Sequence, residues 1–161
     1  MEKVEKIEKK LQKLKEEVFI VSINYSKSLK ELMLRGCYDW VNGGINERNF
    51  VLPAHLINQR VLVSSKLFNF NRLLSSEEAI YEMRKKGYRP ATIFELLALG
   101  SKYKWLQRYF PIIALGSTWN LAIDVVKVPY LTATTNSRKL HLNSFQVKWP
   151  KKCYFLGVSI N

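Results

Sequence analysis

Catalysis and ligand binding begin with acids, imidazoles, thiols and hydroxyls placed within reach of one another, and this sequence offers few such placements. His55, His141, Cys37 and Cys153 are its only histidines and cysteines. They are scattered without the close spacing that metal ligands need, and hard cations would require clustered carboxylates that the chain lacks. No metal and no cofactor is expected. Gly116-Ser117 does not sit in a G-x-S-x-G elbow, and no Gly-rich phosphate loop is present. Beyond Glu95 the only acid is Asp124, which excludes a carboxylate pair in the C-terminal part. An enzyme stays open only through residues that folding brings together.

The positive signal is charge. The chain of 161 residues carries a net +13, which implies attraction to nucleic acid, an anionic surface or an acidic protein. Residues 96–161 hold nine Lys and Arg against the single Asp124, a net of +8. Within this half, Arg138, Lys139, Lys148, Lys151 and Lys152 interleave with His141, Phe145, Trp149 and Tyr154. A second group combines Lys102, Lys104 and Arg108 with Tyr103, Trp105 and Tyr109. Basic residues among aromatics can hold a phosphate backbone and stack bases. The alternative is that the aromatics are core and the lysines a solvated face. Lys outnumbers Arg by 18 to 8, whereas specific phosphate recognition favours the Arg fork.

The elements that must position these residues follow from pattern. Nearly half the residues are hydrophobic, so a packed core is expected. Residues 1–32 repeat Val4, Ile7, Leu11, Leu14, Val18, Val21, Tyr25 and Leu32 at steps of three and four, with Ser28 out of place. This predicts a long amphipathic helix, either in a coiled coil with a partner or second copy, or lying on its own domain. The β-branched run 18–23 could instead form a strand and shorten the helix. The division drawn is a helix over 1–35 and a globular domain over 36–161. Residues 37–58 read as irregular, and residues 60–71 as strand. Ser75 with Glu78, and Thr92 with Glu95, form capping boxes that open two helices. Between these helices Gly87 suits a left-handed closing residue, and Pro90 prevents the first helix from running through. Residues 111–119 read as a core strand. Shorter strands follow at 122–128, 130–131, 140–142 and 153–160, with a polar loop at 132–137 and a long connection at 142–149. Helices set between strands make an α+β order. Cys37 and Cys153 are expected as reduced, mostly buried thiols. No segment reads as a membrane span or a signal peptide, and a cytoplasmic protein is expected.

Over most of its length the chain resembles a group of uncharacterised small proteins of candidate-phyla bacteria and related mobile elements. The residues carrying this are Tyr38-Asp39-Trp40-Val41-Asn42, Gly87-Tyr88-Arg89-Pro90-Ala91-Thr92, Glu95-Leu96-Leu97-Ala98-Leu99-Gly100, Ala114-Leu115-Gly116-Ser117 and the stretch 149–158. More remotely, Gly87-x-Arg89-x-x-Thr92-x-x-Glu95-Leu96 is similar to the G-x-R-L-P-T-x-x-E-W segment of the formylglycine-generating-enzyme and sulfatase-modifying-factor group. Pro90-Ala91 departs from its Leu-Pro. That resemblance implies a C-type-lectin-like fold, with two central helices joined by the segment, a small antiparallel sheet and a C-terminal strand at 153–158. The group's paired catalytic cysteines have no counterpart here, and neither do the calcium ligands of sugar-binding lectins. The expected function is a non-catalytic binding module whose loops recognise a macromolecule. A protein is the first expectation, and nucleic acid held by the basic half is the second.

Overall fold

The computed structural model describes residues 1–161. Four helices, α1 (Glu2–Glu16), α2 (Leu29–Arg35), α3 (Ser76–Lys85) and α4 (Ile93–Lys102), are set among eleven strands. The strands are β1 (Phe19–Asn24), β2 (Trp40–Val41), β3 (Arg60–Phe68), β4 (Leu74–Ser75), β5 (Tyr88–Pro90), β6 (Ile112–Ile113), β7 (Trp119–Ala122), β8 (Val125–Thr134), β9 (Ser137–Ser144), β10 (Lys148–Trp149) and β11 (Tyr154–Ser159). Nine of them form one sheet in the order β1-β3-β11-β6-β8-β9-β2, with β5 also on β11 and β7 also on β8. The β11–β6 and β2–β9 pairs are parallel and the others antiparallel. The architecture is α+β, but the sheet is far larger than the small one expected.

The long N-terminal helix is corrected. α1 stops at Glu16, and the chain re-enters as β1, where Phe19, Val21 and Ile23 are buried while Ile20 stays exposed. That alternation has the strand period of two, and six residues pair with β3. Ser28, which interrupts the heptad pattern, is an N-cap. Its hydroxyl accepts from the Glu31 amide and the Glu31 carboxylate accepts from the Ser28 amide, opening α2. β1 and α2 contribute to the same hydrophobic cluster as α4, so packing marks no boundary at residue 35. Of the α1 seam, Leu14 is buried and Leu11 packs beside it, whereas Val4 and Ile7 remain exposed.

Both expected capping boxes form, at Ser75/Glu78 and at Thr92/Glu95. Gly87 has φ +82°, in the left-handed region that glycine enters without steric cost. The two helices it separates lie on opposite faces of the sheet. Ala79 and Met83 of α3 pack with Phe68, Ile113 and Phe155, whereas Ile93, Leu96 and Leu97 of α4 pack with Leu67, Ile112 and Leu156. Phe155 and Leu156 are neighbours in β11, so alternation along one strand serves both layers. The linking turn becomes β5, paired with β11. The core strand expected over 111–119 shrinks to Ile112–Ile113. Just beyond it the backbone must pass Gly116, where an added Cβ would lie 2.5 Å from the Pro90 carbonyl oxygen. The expected loop at 132–137 is a tight hairpin: Thr134 ends β8, Ser137 begins β9, and only Thr135 and Asn136 intervene.

Candidate polyanion-binding surface

Arg138, one of the eight basic residues singled out above, does not reach solvent. It is 5 % exposed, and burial pushes its pKa below the ordinary value for an arginine. Its guanidinium donates to the carbonyls of Gly36, of Lys104 at 3.0 Å and of Gly100 at 3.0 Å, and to the Gln107 side-chain oxygen at 2.8 Å. Gly36 is the C-cap of α2 and Gly100 lies in the last turn of α4. The positive charge therefore sits where two helices present their unpaired carbonyls. Arg138 is a structural hub, and its place in a polyanion patch is corrected on that ground.

The other seven are dispersed. Lys102 donates to the Ile20 carbonyl at 2.7 Å, and Lys104 Nζ lies 3.5 Å from Cys37 Sγ. Arg108 is exposed on the 3-10 turn Leu106–Arg108. Lys139 shares the outer side of β9 with His141, whose ring packs 4.6 Å from that of Trp40. Burial pushes the His141 pKa down. Lys148 stands 3.9 Å from Glu78 near the start of α3. Among the interleaved aromatics Trp149 and Tyr154 are core, as the alternative reading held. The thiols also divide: Cys153 is buried, while Cys37 is exposed, contrary to expectation.

Lys151 and Lys152 do join a recognisable surface, together with residues that the sequence reading left out. They line a groove of about 470 Å³ between α1 and the loops that follow β3 and precede β11, with Glu8, Lys15 and Tyr109 on its walls. The loop presenting the two lysines is pinned from behind, because Asn69 Nδ2 donates to the Lys151 carbonyl at 2.7 Å and the Cys153 carbonyl at 3.0 Å. The floor is apolar, with Phe110 stacked on Tyr154 at 3.8 Å. At one end Trp105 and Tyr109 meet edge to face, 38 % and 48 % exposed, and Lys10 Nζ lies 4.5 and 4.9 Å from their ring centres. Three lysines and one carboxylate thus line the groove, with a fourth lysine over two exposed aromatic rings at its end. Lys10 and Lys15 escaped the sequence reading because they belong to the helical repeat rather than to the basic C-terminal half. Their flanking position beside Leu11 and Leu14 was the available signal.

This assembly can hold an extended polyanion electrostatically and offer rings for stacking. Nowhere in the chain do three His, Cys, Asp or Glu residues gather as metal ligands would. No helix is long and apolar enough to cross a membrane. No family model matches the chain, and searches of curated proteins and of solved structures return no match for it.

Proposed function

We propose that this protein is a non-catalytic binding module that holds single-stranded nucleic acid in the α1 groove. One observation carries the reading: Trp105 and Tyr109 are open to solvent at the rim of a groove that also holds Lys15, Lys151 and Lys152. Buried aromatics would leave the lysines as an ordinary solvated face, whereas open ones supply the stacking that lysines cannot. The scaffold we take to be C-type-lectin-like. Support comes from the placement of residues 87–92 between α3 and α4, with β5 paired to β11. Two unpaired cysteines favour a cytoplasmic setting.

A protein partner is the second reading. It loses the loops on which it first rested, since β8 and β9 join through a short hairpin. It keeps one observation, the connection from 42 to 59, where Val51 and Ile57 are exposed. Fluorescence anisotropy with a labelled oligothymidylate separates the two. The nucleic-acid reading expects submicromolar binding that weakens steeply with salt, tighter than the non-specific range of about 10⁻⁴–10⁻⁶ M. Trp105→Ala with Tyr109→Ala should then weaken it by about tenfold or more, since each stacked base contributes about 1–3 kcal/mol. Affinity that ignores this pair, together with a lysate partner that survives nuclease, decides for protein.

A further inference from the structure

A second pocket, which shares no lining residue with the groove, opens beside the turn between α3 and α4. It has a volume of about 450 Å³. Tyr25, just past the end of β1, is 3 % exposed and packs against Phe94 with ring centres 5.8 Å apart. The backbone around it is fixed, its amide donating to Gln59 and its carbonyl accepting from Asn58. The hydroxyl makes no hydrogen bond within the protein, yet it is not sealed from solvent, and the residue lines the pocket. Almost all of this side chain is thus buried, and its polar end is left for something in the cavity.

The charges that line the pocket define what fits. Arg89 is engaged, its two terminal nitrogens donating to Glu95 at 3.0 and 2.7 Å. That pair is neutral as a unit, which leaves Arg84 as the lining cation with no ion-pair partner in the protein. A dianionic phosphate is poorly matched. Three of the four amides at the start of α4 are already satisfied, Thr92 N by Glu95, Ile93 N by Ser117 Oγ at 2.8 Å and Glu95 N by Thr92, which leaves too few donors for a phosphate. The buried Glu95 carboxylate would also repel a second negative charge. A single carboxylate suits one arginine and one phenolic donor, and Pro53, Leu56 and Phe94 offer an apolar wall for the rest of the molecule.

We propose that this pocket binds a small monocarboxylate, its charge held by Arg84 and its oxygen accepting from the Tyr25 hydroxyl. The test is a titration of the 15N-labelled protein, followed by amide chemical shifts, with sodium benzoate, sodium acetate, benzamide and inorganic phosphate as probes. Benzoate should move the amides of Tyr25, His55, Arg84 and Gly116 saturably, with benzamide and phosphate far weaker. Arg84→Gln, an exposed substitution that leaves the fold intact, should weaken benzoate at least tenfold, as loss of a charge-assisted hydrogen bond does. Tyr25→Phe should weaken it about threefold to tenfold by the same reasoning for a neutral donor. Lys151→Glu with Lys152→Glu, in the other groove, should change nothing here. No saturable shift with either carboxylate overturns the proposal. So does equal binding of benzamide or phosphate, or unchanged affinity in Arg84→Gln.

Discussion

Arg138→Lys keeps the charge and removes the fork, so it separates a structural arginine from a surface one. The guanidinium donates five hydrogen bonds, to Gly36, Cys37, Gly100, Lys104 and Gln107. A lysine ammonium, a single nitrogen at the end of a flexible stem, can retain about two of these. The acceptors on Gly36, Gly100 and Gln107 are buried, and each buried group left unpaired costs about 1–3 kcal/mol. Taking the low end for carbonyls at helix ends, the expected loss is about 3 kcal/mol. Urea denaturation should show this as a lower midpoint at an unchanged slope. In a thermal melt it corresponds to roughly 6–12 °C for a domain of this size. A residue serving only to attract polyanions would show no change in either measurement. A midpoint within about 0.5 kcal/mol of the parent, the range of an ordinary surface substitution, would refute the hub.

Glu95→Gln should destabilise by about 2 kcal/mol in the same assay. It leaves Arg89 without its partner at a side chain that is 3 % exposed, and the figure is discounted because Arg89 itself is partly solvated. Adding Arg89→Gln should recover part of that loss, and strict additivity would deny the pair. Burial, with the Glu95 charge, pushes the Tyr25 hydroxyl up to about 12 from 10.0. Its contribution to stability is complete below pH 10, and is lost as pH rises from there through about 12, where only the unfolded chain ionises freely. Tyr25→Phe should flatten that alkaline limb in melts run across the range, and an unchanged limb would place the effect elsewhere. Finally, an aromatic disulfide reagent should titrate Cys37 in the native protein, and Cys153 only after denaturant. Burial both shields the Cys153 thiol and raises its pKa. Two equally fast thiols would contradict the packing around β11.

What could be read in advance was local. The capping boxes at Ser75/Glu78 and Thr92/Glu95, and the left-handed Gly87, depend on residues within four positions of one another, and all three are present. At the N-terminus the heptad reading and the strand reading of 18–23 compete, because Val18, Val21 and Tyr25 fit both, and the strand reading prevails. The contact that decides between them, β1 on β3, lies some forty residues away in the chain. Ser28 carried the missing information as an N-cap, but it looked like a flaw in the repeat. Arg138 could not be told from its neighbour Lys139 by type or spacing, since inward and outward positions on β9 depend on which face the sheet buries. The groove was half legible. Lys151 and Lys152 were visible as a basic pair, whereas their association with Lys10, Lys15 and the Trp105–Tyr109 edge is a product of tertiary packing.

The place of β11 bears on how the nascent chain matures. The sheet is assembled from a β1–β3 ribbon and a β6–β8–β9 meander, and the strand that joins them, pairing with β3, β5 and β6 together, follows the other ten in the sequence. Until the ribosome has delivered Ser159, both pieces present bare strand edges and uncovered apolar faces. A chain cut between Ser144 and Tyr154 would keep both half-sheets with no strand between them. Conversely, a peptide carrying β11 should be able to complete a chain that lacks it, so the two fragments could serve as a reconstitution pair for reporting when two fused proteins meet.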